Sequence, residues 1–267
     1  MLELSVNSLR LAGRDLAGGF FAWRIWYLLA TQDIRQRYRR STFGPLWATL
    51  SVSVQVLVMG FLVGTLFGQP VNRYLPYVVL GYVLWNFIIN TLTEGSMTFI
   101  ASGGFIQQFK HPLFSFILQM LWRNCINFAH TAVIYIIVAF IFDVKPHLDS
   151  LLVIPGLILI VINLGWVSLL LALMSTRFRD IPMILQNALT VLFWVTPVVY
   201  YPSQLGSRKI IAQLSPVTHL IDIVRLPLLG EPFSELNWSV ALGMAILGWL
   251  ATFLVFARFR ARVPYWL

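Results

Sequence analysis

Six long runs without a charged residue constrain this chain more than any other feature. They cover 41–72, 74–93, 124–142, 150–176, 181–207 and 236–257. Each run holds close to the ~20 apolar residues that a helix needs to cross a bilayer. Only 11% of the residues are charged and the mean hydropathy is +0.79, whereas about a quarter of an ordinary soluble domain is charged. The sequence therefore predicts an all-α polytopic membrane protein with six transmembrane helices.

The spans divide the chain into three parts and predict its orientation. We place them near 46–67, 74–93, 120–142, 151–174, 182–200 and 237–257. The parts are a cytoplasmic N-terminal segment (1–45), a six-helix transmembrane domain (46–257) and a cytoplasmic tail (258–267). An even number of spans puts both termini on one side, which collects fourteen of the 19 lysines and arginines, while the acidic residues divide equally. By the positive-inside rule that side is the cytoplasm.

A basic amphipathic helix is predicted just before the first span. One helical face carries Trp23, Tyr27, Ala30, Ile34 and Tyr38. On the other side, Asp33 and Arg37 are spaced for an i,i+4 ion pair. Such a helix lies in the membrane interface, with its apolar face in lipid and its arginines toward anionic headgroups. If the segment served only as an orientation signal for the first span, this would explain its arginines but not the row of apolar residues on one helical face. The predicted interface residues are Trp23, Tyr27, Arg35, Arg37, Arg39 and Arg40.

Small and polar residues inside the spans predict helix contacts. Gly60, Gly64 and Gly68 form two overlapping GxxxG units, which let a neighbouring helix approach closely. That helix belongs either to the same chain, which is favoured, or to a second copy. In the third span, polar residues share one face, as in a bundle interior or cavity; they are Gln119, Arg123, Asn127 and His130. For Arg123 alone, snorkelling to the headgroups is an equally good interpretation.

The segment after the fifth span is predicted to stay on the outer side. Ser215 and Pro216 are typical of a helix start, with serine as the N-cap. The helix that follows has an apolar face opposite His219, Asp222 and Arg225. Two short helices that dip into the outer leaflet as re-entrant elements fit this pattern. Between the second and third spans, 95–119 is predicted to be the longest cytoplasmic loop, because its first part is polar and contains glycine.

The chemistry of an enzyme is missing from the sequence. It contains no GxxxxGK[ST] nucleotide-binding loop, no HExxH and no GxSxG motif, and Cys125 is the single cysteine. No cofactor or metal is expected in this chain. The acidic residues fall at span ends or in loops, unlike the intramembrane carboxylates of a proton- or sodium-driven carrier. The pattern favours a pore subunit whose energy comes from elsewhere.

Five stretches resemble the transmembrane subunits of ABC-2 type polysaccharide exporters, the Wzm-like O-antigen, capsule and teichoic acid permeases. They are QDIRQRYRRSTFGPLW at 32–47, LPYVVLGYVLWNFI at 75–88, FRDIPMILQNALTVLFWVTPVVYYP at 178–202, SPVTHLIDIVRLPLLG at 215–230 and RFRARVPYWL at 258–267. The resemblance implies a homodimer in the bacterial inner membrane with two cytosolic ABC ATPase subunits, which would hold ATP and Mg. It also implies a substrate, a glycan on undecaprenyl pyrophosphate. The basic residues then face headgroups and the ATPase, and no nucleic acid is expected.

Three groups of site residues follow from these features together. The pore and substrate path is predicted at Trp85, Asn86, Asn90, Arg123, Asn127, Phe193, Trp194 and Tyr200. The outer gate is predicted at His219, Asp222 and Arg225. Docking of the ATPase is predicted at Gly103, Gly104, Phe105, Phe109, Lys110, Arg177, Arg179 and Asp180, in the cytoplasmic 95–112 and 175–181 connections.

Three other functions share parts of this pattern. An ABC-2 exporter of a lipid or a drug would have the same architecture and a different pore. A membrane-embedded polyprenyl-phosphate transferase would need a cluster of acidic residues or a histidine–acid pair at a membrane face, for which His219 and Asp222 are the only candidates. A structural anchor for a cytosolic complex would need neither a pore nor such catalytic side chains.

Overall fold

The computed structural model describes residues 6–39, 44, 46–66, 68–145, 147–208 and 210–267, and this part of the chain is helical without a strand. Its α-helices are α1 (Val6–Phe21), α2 (Trp23–Tyr38), α3 (Leu46–Leu66), α4 (Val71–Ala101), α5 (Gly103–Gln108), α6 (Phe114–Ile141), α7 (Val153–Arg177), α8 (Ile181–Val195), α9 (Ile210–Leu214), α10 (Pro216–Leu228), α11 (Glu235–Phe259) and α12 (Val263–Trp266). Short 3₁₀ segments lie at Leu148–Leu152, Pro202–Arg208 and Arg260–Arg262.

Among the described residues, five helices are long and apolar enough to cross a membrane. They contain α3, α4, α6, α7 and α11. The predicted fifth span, 182–200, corresponds to α8, which has only 15 residues. At 1.5 Å per residue α8 is about 22 Å long, shorter than a hydrocarbon core of about 30 Å. It ends early because proline disfavours helical geometry in the residue before it, and Thr196, before Pro197, is extended.

Helix α4 is the centre of the bundle. It packs against α3, α6, α7 and α10, and most of its residues are buried. The prediction that a loop begins at residue 95 is wrong, because α4 continues to Ala101. The polar residues there stay helical by bonding to their own backbone, as Thr98 does to the Glu94 carbonyl at 2.9 Å. Gly95 allows close approach to α7, since a Cβ there would lie 2.7 Å from that of Ser168.

The glycines of α3 have different neighbours. A Cβ on Gly60 would collide with the Leu75 side chain, and one on Gly64 would lie 3.1 Å from the Tyr74 ring. Both glycines therefore face α4 of the same chain. The assignment of Gly68 to helix packing needs correction. A Cβ on Gly68 would meet no described atom within 4 Å, and the φ angle of +60° is one that glycine adopts without strain. Gly68 follows the end of α3.

Helix α2 forms where the basic amphipathic helix is predicted, but it packs against α6. Tyr27 lies 5.7 Å from Trp122 between ring centroids, and Ala30 is fully buried, whereas Trp23 is 54% exposed. The expectation that the whole stripe faces lipid is therefore wrong. Arg35, Arg37 and Arg39 are exposed, and Arg40 lies outside the described residues.

Candidate functional site

A buried arginine lies where α10 meets the end of α8. The Arg225 side chain is 2% exposed and forms an ion pair with Asp222, Nη2 to Oδ1, at 2.5 Å. Its Nη1 donates to the carbonyl oxygen of Pro197 at 2.7 Å. The guanidinium carbon lies 4.1 Å from the centre of the Tyr77 ring, a favourable cation–π distance. We call Tyr77, Asp222 and Arg225 the buried arginine cluster.

This cluster supplies hydrogen-bond donors to the non-helical segment 196–201. In a membrane, backbone carbonyls that a helix does not satisfy need another donor. The Tyr77 hydroxyl lies 3.0 Å from the carbonyl oxygen of Pro197 and 2.9 Å from that of Tyr200, and the Tyr74 hydroxyl donates to Val199. Gly81 lets the segment approach, because a Cβ there would lie 2.6 Å from the Val198 carbonyl oxygen.

A cavity of about 610 Å³ adjoins the buried arginine cluster. Asp222 and Arg225, two of the predicted gate residues, line it together with Arg73, Tyr201 and Glu231. His219 does not line this cavity. Its ring nitrogens lie 2.7 Å from Asn237 Oδ1 and 2.9 Å from the Gln213 carbonyl oxygen. His219 therefore joins α10 to α11 and α9, and the structure does not pair it with Asp222.

A second group of charges joins α2, α4 and α6 at the other end of the bundle. Arg123 lies between two carboxylates, with Nη1 2.6 Å from Asp33 Oδ2 and Nη2 2.8 Å from Glu94 Oε2. Arg37 reaches Glu94 Oε1 at 3.3 Å. We call Asp33, Arg37, Glu94 and Arg123 the α2–α4–α6 ion cluster. The predicted pair between Asp33 and Arg37 is replaced by these longer-range contacts, since Arg123 and Glu94 are nearer partners.

Two cavities adjoin the ion cluster and collect the predicted polar residues. A cavity of about 410 Å³ is lined by Arg123, Gln119 and Asp33. A smaller cavity of about 190 Å³ is lined by Asn86, Asn90 and Asn127. Arg37 and Glu94 line both cavities. The polar stripe of α6 and the polar face of α4 thus meet, as expected for residues that face a cavity rather than lipid.

The predicted path aromatics form a row from the core to the surface. Trp85 is buried at 4% exposure, while Trp194 is 65% exposed. Phe193 lies between them, with ring centroids 5.4 Å from Trp85 and 5.3 Å from Trp194. Tyr200 has a different place, because its hydroxyl lies 2.8 Å from the Val195 carbonyl oxygen. It supplies a donor to the last turn of α8, whose carbonyls have no partner within the helix.

The predicted docking residues lie near one another at the end of the bundle that carries α5. Phe105 and Phe109 are 45% and 56% exposed, with ring centroids 4.7 Å apart. Gly104, Lys110 and Asp180 are exposed as well. The segment 263–267 contacts both predicted docking segments, 95–112 and 175–181. Arg179 Nη2 donates to the Trp266 carbonyl oxygen at 3.2 Å, and Gly103 is covered by Leu267.

Sequence reasoning missed Asp15. This side chain is buried in α1, where Oδ1 accepts the backbone N–H of Phe114 at 3.1 Å and Oδ2 pairs with Arg260 Nε at 2.6 Å. A single carboxylate between Ala12 and Gly19 on one helical face was the available signal.

Burial also lowers the pKa of His111 nearby, and the Asp15 carboxylate opposes this shift. Within the described part of the chain, no three His, Cys, Asp or Glu side chains are grouped to hold a metal ion.

A comparison with protein families decides which class of protein this chain belongs to. The family described as ABC-2 type transporter matches residues 24–229, which is well over half of the chain. The chain belongs to the ABC-2 type transporter family. The match includes the α2–α4–α6 ion cluster, the buried arginine cluster and the row of aromatics.

Curated relatives of this ABC-2 chain are named as export permeases. It is 21% identical over 175 residues to the O-antigen export system permease protein RfbA of Klebsiella pneumoniae, covering 65% of this chain and 67% of that protein. It is 22% identical over 197 residues to the protein of the same name from Myxococcus xanthus, covering 72% of this chain and 75% of that protein. Family and relatives are transport proteins, which agrees with the missing catalytic motifs.

Proposed function

We propose that this ABC-2 chain is the permease subunit of an ATP-driven exporter that moves a lipid-linked polysaccharide, such as an O-antigen or capsule, across the bacterial inner membrane. The observation that carries the proposal is the similarity to two O-antigen export permeases over 67% and 75% of their length. A separate ABC ATPase, in two copies, hydrolyses the ATP, and two copies of this chain enclose the path.

The proposed topology has six crossings with both termini in the cytoplasm. The fifth crossing in chain order, additional to the five long helices, consists of α8 and the non-helical segment 196–201. α8 alone is about 22 Å long, so the turns and bends of 196–201 would have to complete the crossing of the hydrocarbon core. Hydrogen bonds from Tyr74, Tyr77 and Arg225 to this segment support the assignment, because non-helical backbone is tolerated at membrane depth where protein covers it. In this topology α9 and α10 are the re-entrant outer elements.

The proposed path runs between two copies along α3, α4 and α8. In a single chain α3 and α8 expose large apolar residues, including Phe61 at 64% and Trp194 at 65%. An aromatic ring face gives the C–H groups of a sugar a flat apolar surface, and many weak contacts suit a polymer that slides. The cavity at Asp222 and Arg225 lies at the proposed exit.

Substitution of Trp194 tests the proposed path without changing the fold. We expect Trp194→Ala to lower export of long glycan roughly fivefold, which corresponds to about 1 kcal/mol, the scale of one aromatic contact. Its stability should not change, because the side chain is exposed. Trp85→Ala removes a buried ring and costs about 3–5 kcal/mol of stability, so it reports on folding first. The measurement is surface glycan in a strain whose own copy of the gene is deleted and replaced by each variant.

The matched control is Phe140→Ala, which removes another exposed aromatic ring, 88% exposed, from α6. Equal export by Trp194→Ala and wild type would contradict the aromatic path. If the deletion strain itself keeps its surface glycan and loses resistance to a drug or export of a lipid, the polysaccharide assignment is wrong. The transferase alternative is not favoured, because His219 and Asp222 each have other partners.

The exposed phenylalanines of the α5 region are the proposed binding site for the ATPase. In a Cys125→Ser background, we expect Phe109→Cys to form crosslinks to a cysteine-bearing ATPase, since an apolar, protruding side chain suits a groove on a partner. Leu11→Cys is the control, because Leu11 is exposed on α1. Crosslinks from position 11 alone, detected on denaturing gels, would place the ATPase elsewhere.

A further inference from the structure

A groove lies between the ends of α7 and α11, apart from the proposed path. Its volume is about 330 Å³, within the range of small-molecule sites, which are about 300–1,000 Å³. Leu173 and Arg177 of α7 line it, together with Val255, Phe259 and Arg262 at the end of α11 and with Trp266 of α12. The groove lies outside the proposed transport path, and Arg177 in its lining is also one of the predicted ATPase-docking residues.

The groove changes from apolar to cationic toward the C-terminal ends of α7 and α11. Leu173 precedes Arg177 by four residues in α7, and Val255 precedes Arg262 by seven residues. At 1.5 Å per residue, Leu173 lies about 6 Å deeper along α7 than Arg177, and Val255 lies inside α11 whereas Arg262 lies in the 3₁₀ segment after its end. An amphiphile with one acyl chain in the deep part would place its headgroup between the two guanidinium groups.

The two arginines carry charge that the described residues do not neutralise. In the described ranges, no carboxylate oxygen lies within 4.0 Å of Arg177 or Arg262. The Arg177 guanidinium lies 5.7 Å from the Trp266 ring and that of Arg262 lies 5.8 Å from Phe259. The dipole of α7 favours a cation near its C-terminus, which explains Arg177 but neither the second arginine nor the groove.

The groove is also fixed in position. Arg179 donates to the carbonyl oxygen of Trp266 at 3.2 Å and so holds α12 against the end of α7. Val263, at the start of α12, is fully buried. A site held in this way loses little conformational freedom when a ligand binds.

We propose that this groove binds an anionic phospholipid of the adjacent leaflet, with an acyl chain along Leu173 and Val255 and its phosphate at Arg177 and Arg262. Charge complementarity selects an anionic over a zwitterionic headgroup. The lipid is a structural ligand and not the exported substrate.

The test uses the intrinsic fluorescence of Trp266. The full chain and its Trp266→Phe variant are placed in phosphatidylcholine vesicles with a minor fraction of brominated phosphatidylglycerol, or of brominated phosphatidylcholine, and the difference between the two proteins reports on Trp266. We expect phosphatidylglycerol to quench Trp266 preferentially. Arg177→Gln should weaken this preference about fivefold, and the double variant with Arg262→Gln about thirtyfold, because each arginine near a membrane surface contributes about 1 kcal/mol.

Arg258→Gln is the matched control, since Arg258 is an exposed arginine of the same helix end that does not line the groove. It should keep the preference, and all variants should elute as folded protein in size-exclusion chromatography. Equal quenching by both brominated lipids, or equal losses in Arg258→Gln and Arg177→Gln, would overturn the proposal. It is also overturned if the co-purified ATPase abolishes the quenching, because a protein then occupies the groove.

Discussion

Arg225→Gln is expected to lower the free energy of unfolding by about 3–5 kcal/mol, the cost of removing one partner of a buried ion pair. The change leaves the Asp222 carboxylate, 12% exposed, without its partner. It also removes the donor to Pro197 and the cation over Tyr77. Thermal and denaturant unfolding of the purified protein in detergent measures the loss.

Two further variants separate the ion pair from the rest of the cluster. Asp222→Asn combined with Arg225→Gln should recover part of the loss, because no buried charge then remains unpaired. Arg73→Gln should change the stability little, since Arg73 lines the same cavity but is exposed. A loss in Arg73→Gln equal to that in Arg225→Gln would contradict this explanation.

Arg123→Gln is expected to release α2 from the bundle. It removes the cation between Asp33 and Glu94 and leaves the two carboxylates facing the same space. The cluster is partly exposed, with Arg123 at 18% and Asp33 at 37%. We therefore expect a cost of about 2 kcal/mol, below the range for fully buried pairs.

Release of α2 is measured at Ala30, which is fully buried in α2. In the Cys125→Ser background, maleimide labelling of Ala30→Cys should become roughly thirtyfold faster when Arg123→Gln is added, as about 2 kcal/mol implies for a local opening. Arg35→Gln is the control, because Arg35 is an exposed arginine of the same helix. Arg123→Lys should fall between the two, since a lysine cannot fork to two carboxylates. Unchanged labelling in Arg123→Gln would exclude Arg123 as the attachment of α2.

Spacing along the chain predicted the features that depend on a residue's own helix. Charge gaps located the five long apolar helices, and the interval of four residues between Arg123 and Asn127 predicted a polar face that does line cavities. The same reasoning failed where a partner lies far away in sequence. The helical period of α10 predicts Arg225 on a polar face, but 196–201 offers carbonyls that bury it. Asp33 is matched by period with Arg37 but meets Arg123, 90 residues away.

Helix length was misjudged for a related reason. Polarity predicts a loop from residue 95, yet α4 continues. Ser96 and Thr98 donate hydrogen bonds to backbone carbonyls of their own helix, and Gly95 leaves room for the close approach of α7. Neither the backbone bonds of a threonine nor the neighbour of a glycine can be read from hydropathy. The short α8 and its capping by Tyr200 depend in the same way on a contact beyond the helix.

The contact between Asp15 and Arg260 also sets an order of events during synthesis. The two residues are 245 positions apart, and at 5–20 residues per second a ribosome needs roughly 12 to 50 seconds to make that length. The Phe114 amide, the other partner of the same carboxylate, is 99 positions from Asp15 and is made much sooner. Helix α1 can therefore attach to α6 while the chain is still growing. Its ion pair with Arg260 forms only after α11 has been made.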